Sequence, residues 1–164
     1  MKKIMTIAVC LFMLFSLIAC SNKKNEYGFF GTYAFEELSY LSLASSSTKD
    51  YFEEGMAGTK YKIEDNQFKI EDADTTTVEI ESPKYVREEV SPNKNILSNE
   101  AELSNVQSIL GEEIQYQIKI YKENGSKTNW MLYVSSDALW VATYFDNTAD
   151  GSEYISNIVK VSKQ

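Results

Sequence analysis

Short segments of alternating polarity, joined by tight turns, constrain the fold of this 164-residue chain most strongly. The clearest segment runs from Glu113 to Tyr121, where an apolar residue at every second position alternates with a polar one. A period of two indicates a strand with one buried face and one wet face. We therefore expect the apolar set of this strand to point inward. Its members are Ile114, Tyr116, Ile118 and Ile120.

The same pattern recurs along the chain and predicts about nine strands. Their predicted bounds are Phe30–Leu38, Thr59–Glu64, Gln67–Asp72, Thr77–Glu81, Lys84–Val90, Glu113–Tyr121, Thr128–Val134, Ala138–Phe145 and Glu153–Val161. Short connections such as Asn124-Gly125 are typical of hairpins, so the sheet is expected to be antiparallel. An antiparallel series of this length removes its edges by closing. The expected fold is all-β, an up-and-down barrel of about 8–9 strands, with a β-sandwich as the alternative.

Two short helices interrupt the strands. Ser47 and Asp50 have the spacing of a capping box and predict a helix from Ser47 to Gly55. A second helix is expected to end at Leu110, because Gly111 follows it.

The hairpin formed by Thr128–Val134 and Ala138–Phe145 carries large apolar residues on both faces. One explanation is that the helix ending at Leu110 covers the outside of this hairpin. The alternative is that some of its aromatic residues line an open cavity or form an exposed patch for a partner.

The first twenty residues carry the marks of an export signal. Lys2 and Lys3 precede an apolar run that is shorter than the roughly 20 residues of a spanning helix. The run ends in Leu17-Ile18-Ala19-Cys20, which resembles the lipobox of bacterial lipoprotein signal peptides. This resemblance implies a signal peptide over residues 1–19 and a Cys20 that carries lipid chains, palmitate among them. Residues 20–26 would form a tether and residues 27–164 the exported domain.

That resemblance also implies a location. The protein is expected to lie at a bacterial cell membrane, lipid-anchored on the extracytoplasmic side. The organism decides whether this is the inner or the outer membrane.

The residue inventory argues against catalysis. The chain has no histidine, which removes the commonest general base and metal ligand. Its two cysteines are Cys10, in the expected signal peptide, and Cys20, the expected lipidation site. We therefore expect no enzyme, no cofactor and no catalytic residue. The net charge of −8 also argues against a nucleic-acid partner.

Two short motifs resemble those of the lipocalin, or calycin, superfamily. Gly31-Thr32-Tyr33 is similar to the Gly-x-Trp signature, with Tyr in place of Trp, and Val141–Asn147 resembles a segment between later barrel strands. The resemblance implies a barrel whose apolar interior opens at one mouth. A small apolar or amphiphilic ligand would then bind inside. The residues expected to line that site are Tyr33, Tyr116, Ile118, Trp130 and Leu132.

Another function remains open from the sequence. A filled barrel would suit a non-enzymatic surface interaction protein that contacts a protein or glycan through its outer aromatic residues. A hollow interior favours the ligand-binding hypothesis, and a close-packed one favours the interaction hypothesis.

One loop resembles the start of a calcium site. Asp146, Thr148 and Asp150 stand at alternate positions, as calcium ligands do, but Asn157 occupies the position where a bidentate Glu is required. A polar hairpin loop explains the same residues better. We therefore predict no metal site.

Overall fold

The computed structural model describes residues 28–72, 76–90, 106–146 and 153–164. The strands are β1 Gly31–Leu41, β2 Lys60–Glu64, β3 Gln67–Glu71, β4 Thr76–Glu81, β5 Lys84–Glu88, β6 Tyr116–Tyr121, β7 Lys127–Val134, β8 Leu139–Asp146 and β9 Glu153–Lys163. The helices are α1 Lys49–Met56 and α2 Val106–Leu110.

All nine described strands belong to one antiparallel sheet that curls into a half-barrel. Their order is β4-β3-β2-β1-β9-β8-β7-β6-β5, so the first and last strands of the chain are neighbours inside the sheet. This confirms the predicted all-β, barrel-like architecture over the β-sandwich. The two edges, β4 and β5, are consecutive in the sequence and are joined by Ser82-Pro83.

An aromatic side chain joins the edge strand β5 to the other half of the sheet. The Tyr85 hydroxyl on β5 donates to the Glu64 carbonyl, in the β2–β3 hairpin, at 2.9 Å. Phe29 and Phe30 each lie 5.5 Å from the Tyr85 ring, centroid to centroid, in edge-on geometry. Such aromatic pairs stabilise beyond the area that they bury.

The concave face of the sheet holds the larger of two hydrophobic clusters. This inner cluster contains alternate residues of most strands, as the period of two requires. Its buried members are Phe29, Tyr33, Leu38, Tyr61, Ile63, Phe68, Ile70, Ile80, Ile118, Ile120, Leu132, Val134, Leu139, Val141, Val159 and Val161.

The opposite face of β7, β8 and β9 carries a second, outer cluster. Its buried members are Tyr40, Val106, Ile114, Met131, Tyr133, Trp140, Ala142, Tyr144, Ile155 and Ile158. Ile109 and Leu110 of α2 pack against this cluster. The helix that ends at Leu110 therefore lies on the outer side of the sheet, as predicted, with its closest backbone contacts to β1.

The prediction for the strand before Tyr121 is correct for three residues and wrong for one. Ile118 and Ile120 are buried in the inner cluster and Tyr116 packs against it. Ile114, however, lies in the outer cluster. The reason is that β6 begins only at Tyr116, so the alternation of faces does not extend back to Ile114. The preceding chain leaves the sheet toward α2, which lies on the outer side.

The start of α1 also differs from the prediction by one residue. Thr48, not Ser47, is the N-cap, and its side chain accepts a hydrogen bond from the Tyr51 amide at 3.4 Å. The predicted turn at Asn124-Gly125 is confirmed, since Gly125 has a φ of +83° and donates to the Lys122 carbonyl at 2.9 Å. A positive φ of this kind is what favours glycine there.

Candidate functional site

Among the cavities of the described residues, two are lined by the inner cluster and lie at opposite ends of the half-barrel. We call them the helix pocket, beneath α1, and the open groove, at the end where β1 begins. Between them the interior is filled by fully buried side chains such as Ile63, Phe68, Ile118 and Leu132. The barrel therefore offers two separate sites instead of one continuous cavity.

The helix pocket has a volume of about 280 Å³ and a mainly apolar lining. Residues of six strands and of α1 form its wall. The strands are β2, β3, β4, β7, β8 and β9. The lining residues are Phe52, Met56, Thr59, Tyr61, Ile70, Asp72, Val78, Trp130, Val141, Thr143, Asn157 and Val159.

Helix α1 contributes one side of this pocket through Phe52 and Met56. Both side chains are half-buried and pack against the inner cluster. The helix is tied to the sheet by Glu53, whose Oε1 accepts a hydrogen bond from the Leu38 amide at 3.1 Å. No residue of α1 is fully buried, so the helix covers this end of the half-barrel only in part.

The helix pocket contains few polar groups, and one of them is charged. Thr59, the residue before β2, donates through Oγ1 to Asp72 Oδ1, just after β3, at 2.9 Å. Burial and the nearby Asp72 carboxylate together raise the pKa of Tyr61 well above its usual range. Thr143 and Asn157 add neutral polar groups to the lining. The pocket can thus hold an apolar body and offers acceptor oxygens to one part of it.

Trp130 is the aromatic residue that connects the helix pocket to the barrel centre. Its ring is half-buried and lies 6.0 Å from the ring of Phe68, centroid to centroid. Phe68 is completely buried, so it supports the indole from behind. A large aromatic side chain held in this way is typical of a binding anchor.

The open groove is larger, about 860 Å³, and more polar. It is lined by Gly28, Phe29, Tyr33, Glu36, Gln115, Tyr116, Val134, Ser135, Ser136, Asp137, Ala138, Leu139, Lys160, Val161, Ser162 and Lys163. An ion pair crosses it, with Lys160 Nζ 3.7 Å from Glu36 Oε1. The Tyr33 hydroxyl donates to the Phe29 carbonyl at 2.6 Å, and burial raises the pKa of Tyr33.

The five residues predicted to line a ligand site do not meet in one cavity. Trp130 lines the helix pocket, whereas Tyr33 and Tyr116 line the open groove. Ile118 and Leu132 are fully buried between the two cavities and form part of the filling. The inner face was predicted correctly for all five, but side chains on one face of a strand reach different depths along a barrel.

Sequence reasoning missed most of the helix pocket. Phe52 and Met56 lie one helical turn apart on α1, and this spacing gives a helix an apolar stripe. Asp72 follows the alternating inner residues Phe68 and Ile70, so its place on the inner face could have been inferred from the period of two. That these elements converge with Trp130 depends on how the sheet curls, which no local pattern specifies.

The outer aromatic residues of β7 and β8 are mostly covered. Tyr133, Trp140 and Tyr144 are each at most 2% exposed. The Lys119 ammonium lies 5.9 Å from the centre of the Tyr144 ring. Phe145 is the exposed aromatic residue here, at 38%, and its ring lies 5.8 Å from that of Tyr154.

The other sequence-based candidates fall largely outside the described residues. Cys20 is one of them, and so are Thr148 and Asp150 of the loop that resembles a calcium site; Asp146 ends β8. Within the described ranges, no group of three or more acidic, cysteine or histidine side chains could hold a metal ion. None of the helices in those ranges is long and apolar enough to span a membrane.

Comparison with known proteins gives no assignment. The chain matches no family model, no curated protein and no solved structure.

Proposed function

We propose that this protein is a membrane-anchored surface lipoprotein that binds a small apolar or amphiphilic ligand in the helix pocket, without catalysing a reaction. The observation that carries the proposal is the apolar pocket of about 280 Å³ beneath α1, with Trp130 in its wall. Small-molecule sites are concave, mostly apolar and supplied with a few polar groups. The helix pocket has this composition.

The size of the pocket limits the ligand. Its volume is close to the lower end of the range for small-molecule sites, about 300 Å³. A ligand of a single small ring or a short alkyl chain suits it, whereas a full-length phospholipid would have to leave most of its chains outside. Burying apolar ligand surface here would contribute about 25 cal/mol per Å² before the costs of association.

The two tryptophans of the chain make the proposal testable by fluorescence. Trp130 lines the helix pocket, and Trp140 is buried in the outer cluster on the other face of the sheet. Trp140→Phe therefore leaves one indole at the site, and Trp130→Phe leaves one indole away from it. Bromooctanol, which quenches indole fluorescence at contact range, should quench the first variant saturably and the second only weakly.

Native mass spectrometry of the purified protein complements this titration by detecting a ligand that co-purifies. Trp130→Ala should weaken both the co-purification and the binding of bromooctanol. Absence of saturable quenching in both single-tryptophan variants, together with no co-purifying ligand, would refute the ligand-binding proposal.

The anchor in this proposal is Cys20, and the tether of residues 20–26 joins it to the N-terminal end of the domain. Gly28, the first residue that the structure describes, lines the open groove. β1 then runs away from this end of the barrel toward α1. The helix pocket would consequently open away from the membrane, where it can exchange ligand with the surroundings.

Cys20→Ala should abolish palmitate labelling and release the protein from the membrane fraction; unchanged labelling and fractionation would refute the lipoprotein assignment.

A second candidate function, that of a surface protein contacting a protein or glycan, is favoured by the filled centre of the barrel. Ile118 and Leu132 have no exposed surface and occupy the depth where a lipocalin-like cavity is expected. If bromooctanol and native mass spectrometry detect no binding, this function is the one to pursue.

A further inference from the structure

The charge of the helix pocket points to the chemical class of its ligand. Of the twelve residues that line the pocket, Asp72 is the one that is charged, and no lysine or arginine is among them. From this we infer that the pocket is selective for small organic cations, namely an apolar body that carries a protonated amine. The inference rests on the proposed ligand-binding function and specifies its ligand.

Asp72 has unused hydrogen-bonding capacity. Its Oδ1 accepts from the Thr59 hydroxyl at 2.9 Å, and no ion pair joins its carboxylate to a cation in the described part of the chain. A carboxylate has about four acceptor sites, so one neutral hydroxyl leaves most of them available. A ligand ammonium could therefore form a charge-assisted hydrogen bond with Asp72, a bond about twice as strong as a neutral one.

The nearest lysine along β2 does not supply that cation. Lys60 is opposite Glu71 in the β2–β3 ladder, and both residues alternate away from the inner face that holds Tyr61 and Ile70. Lys60 also helps to lower the pKa of Glu71, through its positive charge, after the larger effects of Lys69. The lysines of this hairpin are thus engaged on its outer face, while Asp72 faces the pocket.

Two further features favour a cation over an anion. The pocket is lined by three aromatic side chains, Phe52, Tyr61 and Trp130, and aromatic rings attract organic cations. The chain also carries a net charge of −8, which raises the local concentration of cations around it. An anionic amphiphile would meet the unneutralised Asp72 carboxylate and no positive group in the lining.

Three probes that share one alkyl chain separate charge from apolar burial: octylamine, octanol and octanoate. Isothermal titration of the full protein should show octylamine binding about ten-fold or more tightly than octanol, with octanoate weakest. Asp72→Asn keeps the acceptor for Thr59 but removes the charge. It should weaken octylamine about ten-fold and change octanol by about two-fold at most.

Asp65→Asn is the matched control, because it removes the same charge at the exposed turn at the other end of the β2–β3 hairpin. It should leave all three affinities close to those of the wild type. The wild-type comparison stands by itself even if Asp72→Asn does not fold. Equal binding of octylamine and octanol, or preferred binding of octanoate, would overturn this inference while the ligand-binding proposal survives. No binding of any probe would overturn both.

Discussion

The cavities at the two ends of the half-barrel differ in volume and in lining, and the smaller one is the better candidate for a ligand site. The open groove is about three times as large as the helix pocket, yet about half of its lining is polar and includes the Lys160–Glu36 ion pair and the hydrogen bond from Ser136 to Asp137. The helix pocket is small, mostly apolar and partly covered by α1, and its one carboxylate has no ion-pair partner among the described residues. Water suits the first lining, and a ligand with an apolar body suits the second.

The contrast shows where binding energy is available in this fold. A ligand in the open groove would have to compete with solvent, and with the existing ion pair and hydrogen bonds, for the polar groups there. A ligand in the helix pocket would instead cover apolar surface, and that is the favourable exchange. The packed centre of the barrel keeps these two environments apart, so it is the first feature to perturb.

Leu132→Ala should have the largest effect on stability. Leu132 is completely buried in the packing that separates the two cavities, and its truncation leaves a hole there. The free energy of unfolding should fall by about 2–5 kcal/mol, measured by urea denaturation. Leu43→Ala is the control, because Leu43 is 73% exposed, and it should change the same quantity by less than about 0.5 kcal/mol. A loss below that limit for Leu132→Ala would mean that the centre is not packed as described.

The next effect concerns pH. Burial and Asp72 raise the pKa of Tyr61, whereas an unfolded chain ionises its tyrosines near pH 10. The contribution of Tyr61 to the free energy of unfolding is therefore unchanged below about pH 10. Above that pH, the Tyr61 hydroxyl stays protonated in the folded state while it ionises in the unfolded state. Tyr61 alone should lower the free energy of unfolding by up to about 1.4 kcal/mol for each further pH unit.

Urea denaturation between about pH 9 and pH 11 measures this slope. Tyr61→Phe should make the decline shallower, and Tyr51→Phe, at a position that is 72% exposed, should leave it unchanged. Identical slopes for the wild type and Tyr61→Phe would contradict the burial of Tyr61 at the helix pocket.

Removing the cap of α1 should have a smaller effect. Thr48→Ala deletes the acceptor for the Tyr51 amide and should cost about 1 kcal/mol in the free energy of unfolding. Bromooctanol should also bind more weakly, because Phe52 and Met56 are carried by this helix. Ser47→Ala should change neither quantity appreciably. If Ser47→Ala costs more than Thr48→Ala, the cap is at the residue that the capping-box pattern predicts.

The smallest effect is expected in the open groove. Lys160→Met breaks the ion pair with Glu36 but keeps an unbranched side chain that can pack in the same place. The free energy of unfolding should change by about 1 kcal/mol or less, and the affinity for bromooctanol should not change. A marked loss of affinity would place the ligand in the groove and reverse the contrast between the two ends.

Much of the fold follows from local pattern. Alternating segments and hairpin turns predict the nine strands and their antiparallel order, because each side chain's face depends on its immediate neighbours. The position of α2 on the outer side of the sheet follows from Trp140 and Met131, which are apolar residues on a face that would otherwise be exposed to solvent. Ile114 shows the limit, since the end of a strand depends on where the chain must leave the sheet.

The site was less predictable. Trp130 could be proposed as a site residue from its size and from the face of the strand on which it lies. Ile118 and Leu132 lie on the same face, but their side chains are fully buried in the packed centre of the barrel. The distinction depends on depth along the barrel, and depth is set by curl and register across several strands. Asp72 illustrates the same difficulty, because its importance depends on the absence of a lysine or arginine from the pocket lining.

Methyl-labelled methionine NMR tests most directly whether the ligand binds in the helix pocket. Met56 lines the helix pocket, and Met131 is fully buried in the outer cluster on the opposite face of the sheet. Each methyl signal can be assigned with a Met→Leu variant. Titration with octylamine should move the Met56 signal saturably and leave that of Met131 in place. Calorimetric binding of octylamine with an unmoved Met56 signal, or with a shift at Met131 alone, would contradict the assignment of the helix pocket as the binding site.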